Sequence, residues 1–498
     1  MTNDREALIA GLDLGTTMCK CAVYDAGGAL AASASRRLKT DCGTAGCMEQ
    51  SSAEWEAAAV QVMKEVCEKL GGRASRILAL GVSAQGPSTV FVDGDGRPVC
   101  PTPIWQDTRC AGDGYELFKT VGYEWVGHGL PQTGFAAKLK WMSHHDPEAF
   151  RRSKHFHDTK GYLLRFLTGN CVTEGSSSPV GMDEAMLKEC GIRADMLDEV
   201  IAPDSPAGVL RRGLAEETGF PLSTKVIAGL NDGGAAVLGA GLLDVGQGSV
   251  SLSTNGVARV VVDKKPPGKF LYGHSLFCWP YVDGKYIMGG FTKTAGDTVQ
   301  WFIDLAYRDC GPDIQLARFN EEALQSGIGA RGVRFYPWLL GRGCPSATDS
   351  PSGCFTGLGR HHRRGDCSRA IFEGVAFALR DIGQLFRDMG YRWDSIRFNG
   401  GGMKSVLWRS IVSNTLGVEG ALYQTDSLLG AAMLAGVGAG MYRDIGEACR
   451  TCVARQETEP VLRQDDARRY NEIYQAYQKG KAALESYTAL MEESTHGT

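Results

Sequence analysis

The sequence has no excess of either charge, no long apolar run and no compositionally simple linker. Its 53 basic and 57 acidic residues leave a net charge of -4, with no block of one sign. That excludes a nucleic-acid groove or an anionic membrane surface as the main partner. The uncharged stretch Ser427 to Tyr442 is too short and too rich in Gly and Ala for a bilayer span, and reads as a buried helix. A secretory core is also missing. MTNDREALIA carries charges where an apolar region would have to lie, so a cytoplasmic location is expected.

Repeated cysteine pairs are absent too. The sixteen cysteines include one CxxC, Cys449 to Cys452, in the helical stretch EACRTCVARQ, which reads as a plain helical pair. Without an export signal the cysteines are expected to stay thiols. His144, His145, His155 and His157 have no Cys or carboxylate at ligand spacing along the chain, so they read as surface or supporting groups. No GxGxxG sits in a compact βαβ unit and no GxxxxGK[ST] occurs, so the Rossmann and P-loop readings fail.

What is present describes a globular protein. At 498 residues, 43% apolar and 22% charged, the chain suits two domains with large cores. Glycine is abundant, 65 residues, and clusters in GLDLG, AGLNDGG, VLGAGLL and NGGGMK, where the chain would turn sharply or approach a ligand. Ala7 to Leu14, then Gly15-Thr16-Thr17, then CKCAVYD read as strand, polar loop and returning strand; Ser249 to Ser253, Thr254-Asn255-Gly256 and VARVVVD repeat the pattern. Two similar α/β halves are therefore expected, residues 1–244 and 245–498. Helices are predicted over Ser52 to Leu70 and about Ser368 to Met389, and after Arg455, the last packing back on the second half. ILALGVSAQ and VFVDGDGRPV read as a meander with an Asp-Gly turn, and HHRRGD (His361 to Asp366) as a solvated loop.

Four loops carry candidate chemistry. Gly15, Thr16 and Thr17 offer backbone N–H groups and hydroxyls to a phosphate, Asp13 at the strand end suits Mg²⁺, and Lys20 can reach the same anion. Thr254 and Gly256 form the equivalent loop of the second half. Asp232 follows the strand VIAGL and precedes a helix, where it either caps that helix or acts on a ligand. Gly400, Gly401, Gly402 and Ser405 make a turn stripped of side chains, against which a flat ring can lie.

The order GLDLGTT, EQSSAEWE, GVSAQG, PIWQDTR, GLNDGGAAVLGAG, LSTNGV, KTAGDTVQW, GCFTGLGRHHRRGDCSRAIFEG and NGGGMKS resembles the FGGY family of carbohydrate kinases, of the xylulokinase and glycerol kinase kind. It spans Ile9 to about Met441, and Gly353 to Glu373 is similar to a family signature, departing at Cys367 where an aliphatic residue is usual. The resemblance implies an actin-like ATPase fold: two ribonuclease-H-like α/β domains with the active site in the cleft between them. It implies ATP and Mg²⁺, with Asp13 near the metal and Asp232 as the catalytic base. It also implies Gly15, Thr16, Thr17, Lys20, Thr254 and Gly256 at the phosphates, Gly296 and Gln300 as a further nucleotide contact, and Gly401, Gly402 and Ser405 at the adenosine. A homodimer belongs to the same set of implications.

Substrate choice is less well matched. Gln85-Gly86-Pro87-Ser88 stands where xylulokinases have Met-His-Gly after the glutamine and glycerol kinases Arg-Glu, and Pro87 offers no donor. Trp105 resembles the aromatic wall of glycerol kinases, or is plain core, while Asp107 and Arg109 match the xylulokinase-like WNDxR. The expected activity is ATP-dependent phosphorylation of a ketopentose. Glycerol, erythritol, ribulose or gluconate remain alternatives, as does a nucleotide-binding regulator on the same fold.

Overall fold

The computed structural model describes residues 6–122, 133–177, 182–423, 427–453 and 461–496. Its core is two six-stranded sheets. In the first, β1 (Leu8–Leu14), β2 (Met18–Asp25) and β3 (Leu30–Arg37) form an antiparallel meander. β4 (Ile77–Ala84) joins β1 in parallel, and β5 (Pro206–Val209) and β6 (Lys225–Ile227) complete the order β5-β6-β4-β1-β2-β3. In the second sheet the strands are β7 (Gln247–Leu252), β8 (Gly256–Val262), β9 (Phe277–Pro280), β10 (Tyr286–Thr292), β11 (Ser395–Asn399) and β12 (Gly420–Leu422). Their order is β9-β10-β8-β7-β11-β12, with β7-β8-β10 antiparallel and β11 and β12 parallel to β7. The repeated hairpin expected from the sequence thus opens two sheets that share a five-strand order, the sixth strands, β5 and β9, lying on opposite edges.

Every residue of β1 is buried, as a central strand with helices on both faces requires. Leu8, Ala10, Leu12 and Leu14 face α1 (Ser52–Leu70) and α2 (Thr159–Thr168); Ile9 faces the opposite core. α1 has the bounds its apolar stripe predicts, burying Trp55, Val62, Met63, Val66 and Leu70, and Gly71 (φ 55°) ends it. The other face is covered by α3 (Asp232–Gly239) and, from late in the chain, α7 (Ser427–Ala439) and α8 (Ile445–Cys452). Backbones meet there: a Cβ on Gly81 would lie 1.9 Å from Ala431 O, and one on Gly430 2.0 Å from Ala235 O.

The second sheet carries α4 (Gly296–Ala306), α5 (Arg364–Asp388), α6 (Val406–Leu416) and α9 (Gln464–His496). Tyr470, Tyr474 and Tyr477 of α9 are buried against α5, where Lys481 Nζ reaches Asp381 Oδ2 at 2.7 Å. α9 therefore packs back on this half as expected.

Two expectations are corrected. Asp366 accepts from Arg363 N at 2.9 Å and from Ser326 Oγ at 2.6 Å, so α5 starts at Arg364 and half of HHRRGD is helix rather than solvated loop. Val90–Val92 makes its Asp-Gly turn but pairs with His155–His157, not with β4. No helix among the described residues is long and apolar enough to cross a membrane. All sixteen cysteines are free thiols.

Candidate active site

The carboxyl ends of β1, β4 and β6 converge, as the parallel pairing of β1 with β4 and the bridge between Ala84 and Asn231 require. Asp13 is buried there, opposite Lys20 and Ser83, and Ser83 Oγ donates to Asp13 Oδ1 at 2.7 Å. The following turn is tight, closed by Gly15 N to Met18 O at 3.0 Å. Thr16 Oγ1 donates to Gln85 Oε1 and accepts from Trp105 Nε1, both at 2.9 Å. Gln85 is itself buried, its Nε2 on Gln50 Oε1 at 2.8 Å, and Gln50 Nε2 returns to Thr16 O at 2.7 Å. A closed amide network therefore fixes Thr16. Trp105 is 40% exposed and so is not plain core.

Asp107 is buried, and its carboxylate takes Met48 N, Arg109 N and the Arg109 guanidinium. It braces the loop carrying Trp105. Lys138, fully buried, donates to Pro87 O at 3.4 Å and to Thr133 O. Gly86 and Pro87 are held by that contact.

The capping alternative at Asp232 is resolved. Asn231 is the N-cap, its Oδ1 accepting from Gly234 N at 2.6 Å, while Asp232 Oδ1 accepts from Gly233 N at 2.7 Å. Asn231 is positioned from behind by Ser176, whose Oγ accepts from Asn231 N at 2.8 Å and whose carbonyl accepts from Asn231 Nδ2 at 2.9 Å. Ser176 N donates to Glu174 Oε2 at 2.7 Å, and Glu174 also holds Lys160, both fully buried. Burial, reinforced by Asp13, pushes the Asp232 carboxyl up to about 6, against the Gly233 N–H, Arg259 and Lys160, which pull it down. Arg259 lies on β8 and a Cβ on Gly233 would strike Trp279 of β9 at 2.7 Å. Asp232 therefore sits where the two lobes meet.

In the second lobe, Gly296 N donates to Ser253 O at 2.7 Å, and Ala295 N to Thr254 O at 2.8 Å. A Cβ on Gly296 would lie 2.3 Å from Ser253 O, so only glycine lets the start of α4 close on the Thr254–Gly256 loop. Gly400 (φ 87°) packs on Leu252 O with 2.3 Å to a built Cβ, setting the glycine turn beside the same loop. Gly401 is exposed with open space over it. Ser405 caps α6, accepting from Trp408 N at 3.2 Å and donating to Asn320 Oδ1 at 2.6 Å, and Gln300 is exposed on α4 with its amide on Asp304.

Lys160, Glu174, Ser176 and Arg259 were not read from the sequence, since only folding brings them to Asp232, and Asn231, its neighbour in the chain, was given no role there. Near His155 and His157, folding brings Cys171 and Asp198, remote in sequence, with one ligand atom of each of the four within 4.8 Å of the others.

Two sheets that share a five-strand order, with Asp13 and Asp232 at the junction of their lobes, make up the actin-like ATPase architecture. Models of the FGGY family of carbohydrate kinases match both halves, the N-terminal domain over residues 8–239 and the C-terminal domain over residues 271–439. The chain belongs to this family, and it is a carbohydrate kinase. The xylulose kinase of Lactococcus lactis is 26% identical over 487 residues, covering 95% of this chain and 96% of that protein. The crystal structure of xylulose kinase from Rhodospirillum rubrum matches with a TM-score of 0.88 at 24% identity, covering 96% of this chain and 99% of that one. Gluconate kinase from Lactobacillus acidophilus matches at 0.85 and 23% identity, covering 96% of this chain and 98% of that one.

Proposed function

We propose that this kinase transfers the γ-phosphoryl group of ATP to a hydroxyl of a ketopentose, with Asp232 taking the hydroxyl proton. The observation that carries the reading is a carboxyl pushed up to about 6 at the junction of the lobes, relieved of capping by Asn231. A base of that strength is ionised at neutral pH yet basic enough to accept a proton as the O–P bond forms. The proton goes to Asp232, the bond to the β-phosphate oxygen breaks, and ADP leaves.

Asp13 and Asp232, two carboxylates close enough for one to raise the other's pKa, are a hard-oxygen set that fits a divalent cation of magnesium's kind. Mg²⁺ bound beside Asp13 supplies charge neutralisation on the phosphate oxygens. Gly15, Thr16, Thr17 and Lys20 receive those oxygens from the first lobe and Thr254 and Gly256 from the second. Gly296, Gln300, Gly401 and Gly402 line the nucleoside side, and Ser405 shapes that turn. Trp105 faces the sugar carbons, Gln85 orients Thr16, and Gly86, Pro87 and Asp107 set the wall around them. The ketopentose assignment is supported by the Asp107–Arg109 pair and by the likeness to xylulose kinases. The likeness to a gluconate kinase makes aldonates the second class to test.

ADP release measured across ketoses, polyols and aldonates tests this. A ketopentose is expected to give the highest kcat/KM, and Asp232→Asn to lose about 10²-fold or more in kcat while ADP affinity holds. An aldonate optimum reassigns the substrate, near-normal turnover by Asp232→Asn removes the base, and ADP release that no sugar stimulates removes the kinase assignment to sugars.

A further inference from the structure

Behind α2, three short segments deliver soft and hard ligands to one point. Strand His155–His157 pairs with Val90–Val92, strand Val172–Glu174 pairs in parallel with Glu199–Ile201, and Phe156 bridges Leu197. Glu199 N donates to Cys171 O at 3.1 Å, which sets Cys171 beside Asp198. Residues i and i+2 of a strand share a face, and the His155 and His157 rings stand 4.5 Å apart between centroids. Asp198 Oδ1 lies 2.9 Å from His155 Nε2 and 2.8 Å from His157 Nδ1. One ligand atom from each of His155, His157, Cys171 and Asp198 lies within 4.8 Å of all the others.

We propose that these four residues form a site for a zinc-like divalent transition metal ion, separate from the nucleotide cleft. A tetrahedral zinc with bonds of about 2.0–2.3 Å spaces its ligands by roughly 3.3–3.8 Å. The two histidine–Asp198 pairs stand at 2.8–2.9 Å and all four atoms within 4.8 Å, so shifts of about 1 Å, which the exposed Cys171 side chain can take up, reach that spacing. Two imidazoles, a thiolate and a carboxylate match zinc or cobalt and not magnesium or calcium, which take oxygen. The thiolate and carboxylate together offset the ion's charge. A simple Asp–His hydrogen-bond cluster accounts for Asp198 with its two histidines. It does not account for a thiol at the same point. The charged neighbours include Asp158, which acts on Asp198, Asp195, which acts on His155, and Arg165, which lies beside Cys171 and donates to Gly96 O at 3.1 Å. Three residues beyond Cys171, Glu174 holds Ser176, which in turn holds Asn231, so a bound ion braces the segment behind Asp232.

The test uses the full-length, tag-free chain and Co²⁺ as a visible stand-in for zinc. One equivalent is expected to develop a thiolate-to-cobalt charge-transfer band with tetrahedral ligand-field bands, both displaced by one equivalent of Zn²⁺. Cys171→Ser, at the surface, should keep the metal-free thermal midpoint but lose the charge-transfer band and the zinc-induced rise in that midpoint. His155→Gln should weaken zinc by about tenfold or more. A wild-type chain that develops no such band overturns the proposal. So does a Cys171→Ser chain that keeps band and stoichiometry, because another cysteine then holds the ion.

Discussion

Lowering the pH should silence this enzyme well above the range in which aspartates ordinarily titrate. The Asp232 carboxyl moves from 3.8 to about 6, first because burial penalises the charge and then because Asp13 repels it. At pH 5 a base with a pKa of about 6 is roughly one-tenth ionised, against more than about nine-tenths for an unperturbed aspartate, so kcat/KM should fall about tenfold from its neutral plateau. Stability carries the opposite sign. The folded state binds this proton more tightly than the unfolded chain, so the group's favourable contribution is complete below pH 3.8 and is lost as pH rises to about 6. At neutral pH the ionised carboxylate then costs up to about 3 kcal/mol, reduced by solvent because the side chain is only half-buried. Asp232→Asn should therefore be the less active and the more stable protein, by about 1–3 kcal/mol at pH 8, with the gap closing near pH 4. Initial rates at sub-saturating sugar and urea unfolding at both pH values measure the two effects. An acid limb below about pH 4.5, or an Asp232→Asn variant less stable at pH 8 than its parent, would refute the reasoning.

Three further outcomes follow from distances already described. Gly296→Ala puts a Cβ 2.3 Å from Ser253 O, so ADP binding by calorimetry should weaken by about tenfold or more while the fold persists; unchanged affinity would show that α4 and the second loop do not grip the nucleotide together. Trp105→Phe keeps the ring and loses the hydrogen bond to Thr16. At about 1 kcal/mol it should raise the sugar KM roughly fivefold, with Trp105→Leu worse, and equal KM values would return Trp105 to a structural role. Lys160→Met leaves Glu174 buried without its cation, which should cost about 3–5 kcal/mol in urea. Replacing both residues by Met should recover most of it. The single variant should also raise the acid limb, since Lys160 holds the Asp232 pKa down.

Much of the fold was legible because its signals are local. The hairpins at residues 8–25 and 247–262 show alternation on both sides of a Thr-Gly loop, and α1 ends at the glycine its stripe predicts. The start of α5 was misread because its first turn is polar and its start signal, Asp366 reaching back to Arg363 N, looks like loop chemistry until it is folded. Val90–Val92 was given the wrong partner because its true one lies some sixty residues on. At the site, residue types in loops pointed to Asp13, Thr16, Thr254 and Asp232. What tunes them did not show: Ser83, Lys160, Glu174 and Arg259 come from separate strands and helices, and no spacing along the chain links them.

The division at residue 244, natural in sequence, meets a physical obstacle in α7. That helix lies beyond the division yet buries Leu428, Met433 and Leu434 against Ile9, Ala79, Leu230 and Leu238 of the first sheet and α3. At about 1.5–3 kcal/mol for each large side chain, withdrawing it forfeits roughly 5–9 kcal/mol, comparable with the whole stability of an ordinary domain, about 5–15 kcal/mol. The glycine seams at Gly81 and Gly430 leave no room for larger side chains to substitute for the lost contact. Residues 1–244 expressed alone should therefore lack a cooperative unfolding transition, and co-expression with 245–498 should restore both the transition and activity. A fragment that unfolds cooperatively at the midpoint of the intact chain would mean that α7 merely rests on the first lobe, and the coupling between lobes would have to run through the other contacts, such as Asp232 with Arg259, Gly233 with Trp279 and Phe118 stacked on Tyr272.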